Sequence, residues 1–173
     1  MVNISAVINQ LDLKPGDIVA DLGSGIGHFT LPIAKKIGDK GVVYAVDIHK
    51  EVLTRLSNDA KHAGITNVQT IWGNIEDPGE THIKNEGVDI AIFVNILSQV
   101  NDRPATIREA LRIIKDNGKL AVVDWQASSA VGPRKEKRVP FDEIKRLCER
   151  FGLVYTTDIS VGDYHYGMMF SKR

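Results

Sequence analysis

One cysteine, two tryptophans and six prolines are all that 173 residues contain of these types. A lone thiol, Cys148, closes no internal disulfide, so the stapled scaffolds of small secreted domains are excluded and a reducing, cytoplasmic setting is expected. Charge of one sign is also missing. Lys plus Arg number 22 and Asp plus Glu number 22, so the chain exerts no general pull on nucleic acid or anionic lipid. No apolar run approaches the ~20 residues that span a bilayer. The start, Met1 to Lys14, mixes Asn3, Ser5, Asn9, Gln10 and Asp12 among apolar residues, unlike the unbroken apolar stretch of a signal peptide. Repeats, low-complexity tracts and long linkers are absent. The remaining composition, 43% hydrophobic and 25% charged, is that of an ordinary globular chain. One domain over residues 1–173 is expected, with residues 1–15 as a helical lid or extension.

Short apolar runs alternate with amphipathic stretches. Ile18-Val19-Ala20, Val42 to Val46, Val68 to Trp72, Val88 to Val94 and Lys119 to Trp125 are rich in Val and Ile, and most are apolar on both faces, as buried parallel strands are. Between them, Val52, Leu53, Leu56, Ala60 and Ala63 recur at helical spacing before Gly64, as do Ile107, Ala110, Leu111 and Ile114 before an Asn117-Gly118 turn. A third helix starts near Pro140 and carries Phe141, Ile144, Leu147, Cys148 and Phe151, which makes Cys148 a core filler. Near the end, Leu153 to Ile159 and His165 to Ser171 are joined by too few residues for a parallel crossover, so they form an antiparallel hairpin. The expected fold is α/β: a doubly wound, Rossmann-like, seven-stranded, mostly parallel sheet with helices on both faces and a C-terminal hairpin.

The segment Asp21-Leu22-Gly23-Ser24-Gly25-Ile26-Gly27-His28-Phe29-Thr30 follows the first strand and opens a helix. Its glycines let a ligand approach the backbone, and the helix start adds free N–H groups. A phosphate-binding P-loop fails because no Lys-Ser or Lys-Thr follows. A dinucleotide fingerprint needs a third glycine at position 28, where His28 stands. Asp21, two residues before the first glycine, would repel a pyrophosphate and attract an ammonium. Asp47 ends the second strand, where a carboxylate accepts hydrogen bonds from ribose hydroxyls. An amine acceptor with a ribose acceptor describes S-adenosylmethionine better than a nicotinamide cofactor.

These residues carry a family resemblance. Asp21 to Thr30 resembles motif I of the class I SAM-dependent methyltransferases, and Asp47 matches the acidic residue of their second motif. Trp72-Gly73-Asn74-Ile75-Glu76 stands where the family has a Gly-Asp pair, with Asn74 replacing the Asp. Asn95 to Val100 resembles motif IV, and Arg112 to Leu120 the lead into strand five, with Asp116-Asn117 replacing Pro-Gly. The chain is most similar to small stand-alone relatives of the quinone-biosynthesis type. The resemblance implies S-adenosylmethionine as cofactor, S-adenosylhomocysteine as product and no metal. It implies that Asp21, Gly23, Ser24, Gly25 and Gly27 hold the methionine end. Asp47 then holds the ribose, Ile48, Asn74 and Ile75 the adenine, and Asn95 lines the methionine or acceptor side.

Methyl transfer from a sulfonium is an in-line displacement that asks mainly for alignment; a base helps only when the acceptor loses a proton. The hairpin topology puts Tyr164, His165 and Tyr166 at the rim of the site, with His165 and Tyr164 the candidate catalytic residues. The alternative is that they only cap the hairpin. Trp125 either walls the pocket or fills core. The loop 126–139 contains Arg134-Lys135-Glu136-Lys137-Arg138, which reads first as a solvated, mobile face, as charge runs usually are, and otherwise as a holder of an anionic acceptor. Position 95 begins Asn-Ile-Leu-Ser rather than the Pro-Pro-aromatic run of base-flipping amino-methyltransferases, which argues against DNA. His49, His62 and His82 form no ligand spacing with Cys148, so no metal site is expected. The principal reading is methyl transfer to a small molecule, without a membrane or nucleic-acid partner, in a pocket left open or completed by a second subunit of a homodimer. The alternatives are an RNA or protein methyltransferase using residues 134–138, and a SAM-binding protein without turnover.

Overall fold

The computed structural model describes residues 2–173. Strands β1 (Ile18–Leu22), β2 (Val42–Asp47), β3 (Val68–Trp72), β4 (Val88–Val94), β5 (Ile114–Trp125), β6 (Leu153–Asp158) and β7 (His165–Lys172) form one sheet in the order β3-β2-β1-β4-β5-β7-β6. The pairs among β1 to β5 are parallel, and β7 runs antiparallel to both neighbours. This is the expected doubly wound sheet with its hairpin. From β1 the chain winds outward through β2 and β3, then returns to place β4 on the other side of β1. That reversal opens a crevice beyond the carboxyl ends of β1 and β4, where open α/β sheets bind ligands.

The helices are α1 (Ile4–Gln10), α2 (Thr30–Ile37), α3 (Lys50–His62), α4 (Arg103–Ile113) and α5 (Phe141–Arg150). Strand alternation sends Val19, Ile90, Ile92, Ala121 and Val123 to one face, where Val7 and Ile8 of α1, its C-cap Leu11, and Ile33 and Ile37 of α2 cover them. Ala20, Leu22, Ala91, Phe93, Leu120 and Val122 face the other way, against Ile107, Ala110 and Ile113 of α4 and Ile144 and Cys148 of α5. Both faces are therefore dry, which is why these strands read as continuous apolar runs. Two helices start on a side chain missed in the sequence: Asn3 accepts from the Ala6 N–H at 3.0 Å, and Asp102 from the Ala105 N–H at 2.8 Å.

One boundary differs from expectation. The β5 ladder begins at Ile114, directly after α4, rather than at Lys119. Ile114 pairs with Val88, but the next partner of β4 is Lys119, opposite Ile90, so residues 115–118 bulge out. The turn chemistry is the one the sequence announced: Asn117 has φ 64°, and a Cβ on Gly118 would lie 2.9 Å from the Asp89 carbonyl oxygen.

Candidate functional site

The glycine loop forms because its backbone has no alternative. Gly23 (φ 82°) and Gly27 (φ 88°) take left-handed conformations, and a Cβ on either would come within 2.1 Å of Ile96 Cδ1 or Leu56 Cδ1. Gly23 and Ser24 both donate their N–H to the Val46 carbonyl, at 2.8 and 3.0 Å, pinning the loop to the end of β2. Gly25, by contrast, faces open space.

Two cavities meet at Gly23. The first, of about 330 Å³, is bordered by Asp47, Ile48, Gly73, Asn74, Ile75 and Glu76. Asp47 is buried there; its Oδ2 accepts the Gly25 N–H and its Oδ1 the His49 N–H, each at 2.9 Å. A carboxylate offers about four lone-pair sites, so two remain for hydroxyl donors. Ile48 is 55% exposed beside it, an apolar surface without a partner in the protein. Asn74 is already engaged: Oδ1 accepts the Glu76 N–H at 3.1 Å and Nδ2 donates to Asp77 at 2.7 Å. Its oxygen keeps one lone pair. Glu76 has a role not read from the sequence, accepting the Asn101 and Asp102 N–H groups at 2.9 and 2.6 Å and so closing this cavity's far wall.

The second cavity, of about 300 Å³, is lined by Asp21, Gly23, Ser24, His28, Phe29, Val94, Asn95, Trp125 and His165, with Val2 and Ile4 over it. Asp21 is 2% exposed and accepts the hydroxyl proton of Thr30, the first residue of α2, at 2.6 Å. Burial pushes its carboxyl up to about 6 against the lowering effect of the Thr30 bond, and the negative charge of Asp47 adds to the rise. Asn95 holds φ 58°, with its N–H on the Val123 carbonyl at 2.8 Å. Ser24 Oγ, Asn95 Oδ1 and both ring nitrogens of His165 are buried and have no hydrogen-bond partner among the described residues.

The hairpin residues divide. His165 reaches the cavity, its ring 4.0 Å from that of Trp125 between centroids. Tyr166 points to the opposite face of the sheet, where its hydroxyl donates to the Val139 carbonyl at 3.0 Å, so strand alternation removes it from the rim. Tyr164, 39% exposed, lines neither cavity. Trp125 walls the cavity rather than filling core, and the loop after β5 holds it there: a Cβ on Gly132 (φ 110°) would lie 2.5 Å from the indole ring. Arg138 is spent on this loop. Its guanidinium donates to the carbonyls of Pro133, Ala127, Ser129 and Val131, so it is not a free cation for an anionic acceptor. Val2 and Ile4 fall within residues 1–15, expected as a lid or extension, but neither they nor Phe29 were singled out as lining residues. Cys148 is buried, and its thiol is pushed up to about 12 by burial. Among the described residues no three His, Cys, Asp or Glu side chains converge as metal ligands, and no helix is long and apolar enough to cross a membrane.

The sheet order, with a glycine bend and two buried carboxylates at its switch point, defines a doubly wound α/β domain whose crevice lies where such folds bind ligands. Over residues 13–168 the chain matches the model of a methyltransferase-domain family, and it belongs to that family. Among curated proteins it is 35% identical over 116 residues to the arsenite methyltransferase of Homo sapiens, covering 64% of this chain and 31% of that protein. It is 30% identical over 113 residues to the ubiquinone/menaquinone biosynthesis C-methyltransferase of Vibrio vulnificus, covering 65% of this chain and 42% of that protein. The chain thus spans less than half the length of either relative. A SAM-dependent methyltransferase from Aquifex aeolicus has the same fold, with a TM-score of 0.90 at 23% identity, over 99% of this chain and 90% of that one.

Proposed function

We propose that this domain transfers a methyl group from S-adenosylmethionine to a small-molecule acceptor by in-line displacement. The observation that carries this reading is the pair of cavities joined at Gly23, one holding buried Asp47 and the other buried Asp21. Asp47 would take the ribose hydroxyls on its two open lone pairs. Ile48, Asn74 and Ile75 would border the adenine, which would cover the exposed Ile48 side chain. Asp21 and the backbone of Gly23, Ser24, Gly25 and Gly27 would hold the methionine end, with Asn95 on the acceptor side. Bound there, S-adenosylmethionine supplies an electrophilic methyl group. The protein aligns it, excludes water beneath Val2 and Ile4, and neutralises the ammonium with the Asp21 carboxylate.

One acceptor class suits this chain poorly, and a second would depend on few residues. A thiophilic metalloid such as arsenite is held by exposed thiolates, and Cys148, the one cysteine of this chain, is buried and protonated. An RNA or acidic protein would rely on the basic loop, where Arg138 is engaged by its own backbone and Arg134, Lys135 and Lys137 are left exposed. A small-molecule acceptor is the reading we keep, and the cytoplasmic setting belongs to it. Calorimetry tests it. Wild type should bind S-adenosylhomocysteine, and Asp47→Ala should bind it at least about tenfold more weakly, about the contribution of one or two charge-assisted hydrogen bonds. Equal affinity would remove Asp47 from the site.

A further inference from the structure

We propose that Asp124 is a positioning residue: it fixes the loop 95–100, on which both ends of the cofactor would rest, and through that loop sets the alignment that methyl transfer needs. This rests on the methyltransferase reading and adds to it a residue that lines neither cavity. Asp124 is the penultimate residue of β5 and shares the sheet face of Leu120 and Val122. It is fully buried, and among the described residues no Lys or Arg is paired with it. A buried carboxylate without a counter-charge is costly, and burial pushes this one above its ordinary value. Two main-chain donors account for its place. Oδ2 accepts the Ser98 N–H at 3.2 Å, and Oδ1 accepts the Trp125 N–H at 2.8 Å. An apolar side chain would leave both groups without that acceptor, and Asn would offer one oxygen to two donors.

The loop held in this way builds both cavities. Its first residue, Asn95, lines the second cavity in a left-handed conformation and donates its N–H to the carbonyl of Val123, one residue before Asp124. Ile96, Gln99 and Val100 line the first cavity. Ile96 also backs the glycine bend: its Cδ1 lies 2.1 Å from where a Cβ on Gly23 would stand, and Gly23 is where the cavities meet. The second N–H on the carboxylate belongs to Trp125, whose side chain lines the second cavity as well. One buried side chain thus ties the end of β5 to the loop after β4, beneath the point where the two halves of the cofactor would join. In-line displacement asks mainly for alignment, so this tie bears on the step without entering it.

The test is a double-mutant cycle of Asp124→Asn and Ile96→Ala, read by calorimetric binding of S-adenosylhomocysteine. Asp124→Asn keeps the shape and one oxygen, and should weaken binding about tenfold; Asp124→Ala, which keeps neither, should weaken it further. Ile96→Ala, which removes the backing of the glycine bend, should also weaken binding about tenfold. The double variant should then be about tenfold weaker than wild type and not a hundredfold, because the tie acts through Ile96. The amide resonance of Gly23, which Asp124 does not touch, should shift in Asp124→Asn. A role confined to holding the fold together would lower the melting temperature of the Asp124 variants without that coupling. Additive losses, unchanged affinity in Asp124→Asn or an unmoved Gly23 signal would therefore overturn the proposal. So would loss of cooperative melting in both Asp124 variants. Wild type failing to bind S-adenosylhomocysteine would overturn the methyltransferase reading and this inference with it. Wild type binding it no better than Asp124→Asn does would overturn only this inference.

Discussion

Replacing Asp21 with Asn should make the ligand-free protein more stable and the ligand-binding protein worse. Asp21 titrates near 4 in an unfolded chain and at about 6 in the fold, because burial penalises its charge. Between those values the folded state holds a proton that the unfolded state has released. Stability therefore falls as pH rises through this window, and the full penalty stands above about pH 6. A difference of about two pH units corresponds to ~3 kcal/mol. Asn has nearly the same shape, keeps an oxygen for the Thr30 hydroxyl, and carries no charge. The gain at pH 7.5 is at most that ~3 kcal/mol, or roughly 6–12 °C in Tm for a chain of this size. Calorimetric melting of both proteins from pH 4 to pH 8 would read it. The wild type and the variant should converge near pH 4 and diverge by pH 7, which cancels every other titrating group. Titration with S-adenosylhomocysteine, whose ammonium meets Asp21 in the proposed complex, should show the opposite order of affinity. Refutation would be a variant that melts lower than wild type at pH 7.5, or a gap between the two that does not change with pH. Either result would mean that the carboxylate is stabilised inside the fold and not held in reserve for a cation.

Gly27→Ala should destabilise the fold by about 2–4 kcal/mol, since a left-handed φ of 88° and a 2.1 Å approach to Leu56 Cδ1 both resist a Cβ; urea denaturation measures this. Gly25→Ala, which meets nothing within 4 Å, should cost only its backbone strain, about 1–2 kcal/mol, and should weaken S-adenosylhomocysteine binding more than it lowers stability. Arg112→Ala should destabilise by about 3 kcal/mol, because it strands the buried Glu109 carboxylate that Arg112 contacts at 2.6 Å. Arg112 holds Glu109 below the usual carboxylate range, so that contribution is complete above about pH 4.5 and is lost as the pH falls; comparing urea midpoints at pH 7 and pH 3.5 checks the sign. Arg138→Ala should loosen residues 126–138 without unfolding the sheet, seen as faster tryptic cleavage there and a shift in Trp125 fluorescence.

The sheet was legible because a strand buried on both faces leaves a dense signature in Val and Ile, as in Val42–Asp47 and Val88–Val94. The glycine bend was legible because few local geometries require three alternating glycines between a strand and a helix. Sequence order misled where alternation across a strand decides the outcome: His165 and Tyr166 are neighbours in the chain but point to opposite faces of the sheet. The bulge at residues 115–118 was hidden because Ile114 belongs equally to a helical stripe and to a strand. Arg138 read as a free cation because its neighbours are Lys and Arg, whereas its partners are carbonyls, which every residue carries. A lid over residues 1–15 was an expectation of the sequence, but Val2 and Ile4 could not be singled out within it, since aliphatic residues near a chain start fit any role.

That cover is fastened at a distance. The seven-residue α1 is too short to persist by itself in water. It is held to the tip between β6 and β7 by the Asn3 N–H on the Val161 carbonyl, at 3.1 Å, and by Gln10, whose amide bonds the backbone of Ser160 in both directions, at 3.0 and 2.8 Å. Those links sit beside the buried Val7, Ile8 and Leu11, so fraying confined to the first turn, at Val2 and Ile4, would open a doorway to the chamber while the packed remainder of the segment keeps its face of the sheet covered. Amide exchange at Asn3 and Ser160 should then run far ahead of exchange in β1 and β4, and slow sharply once the chamber is filled.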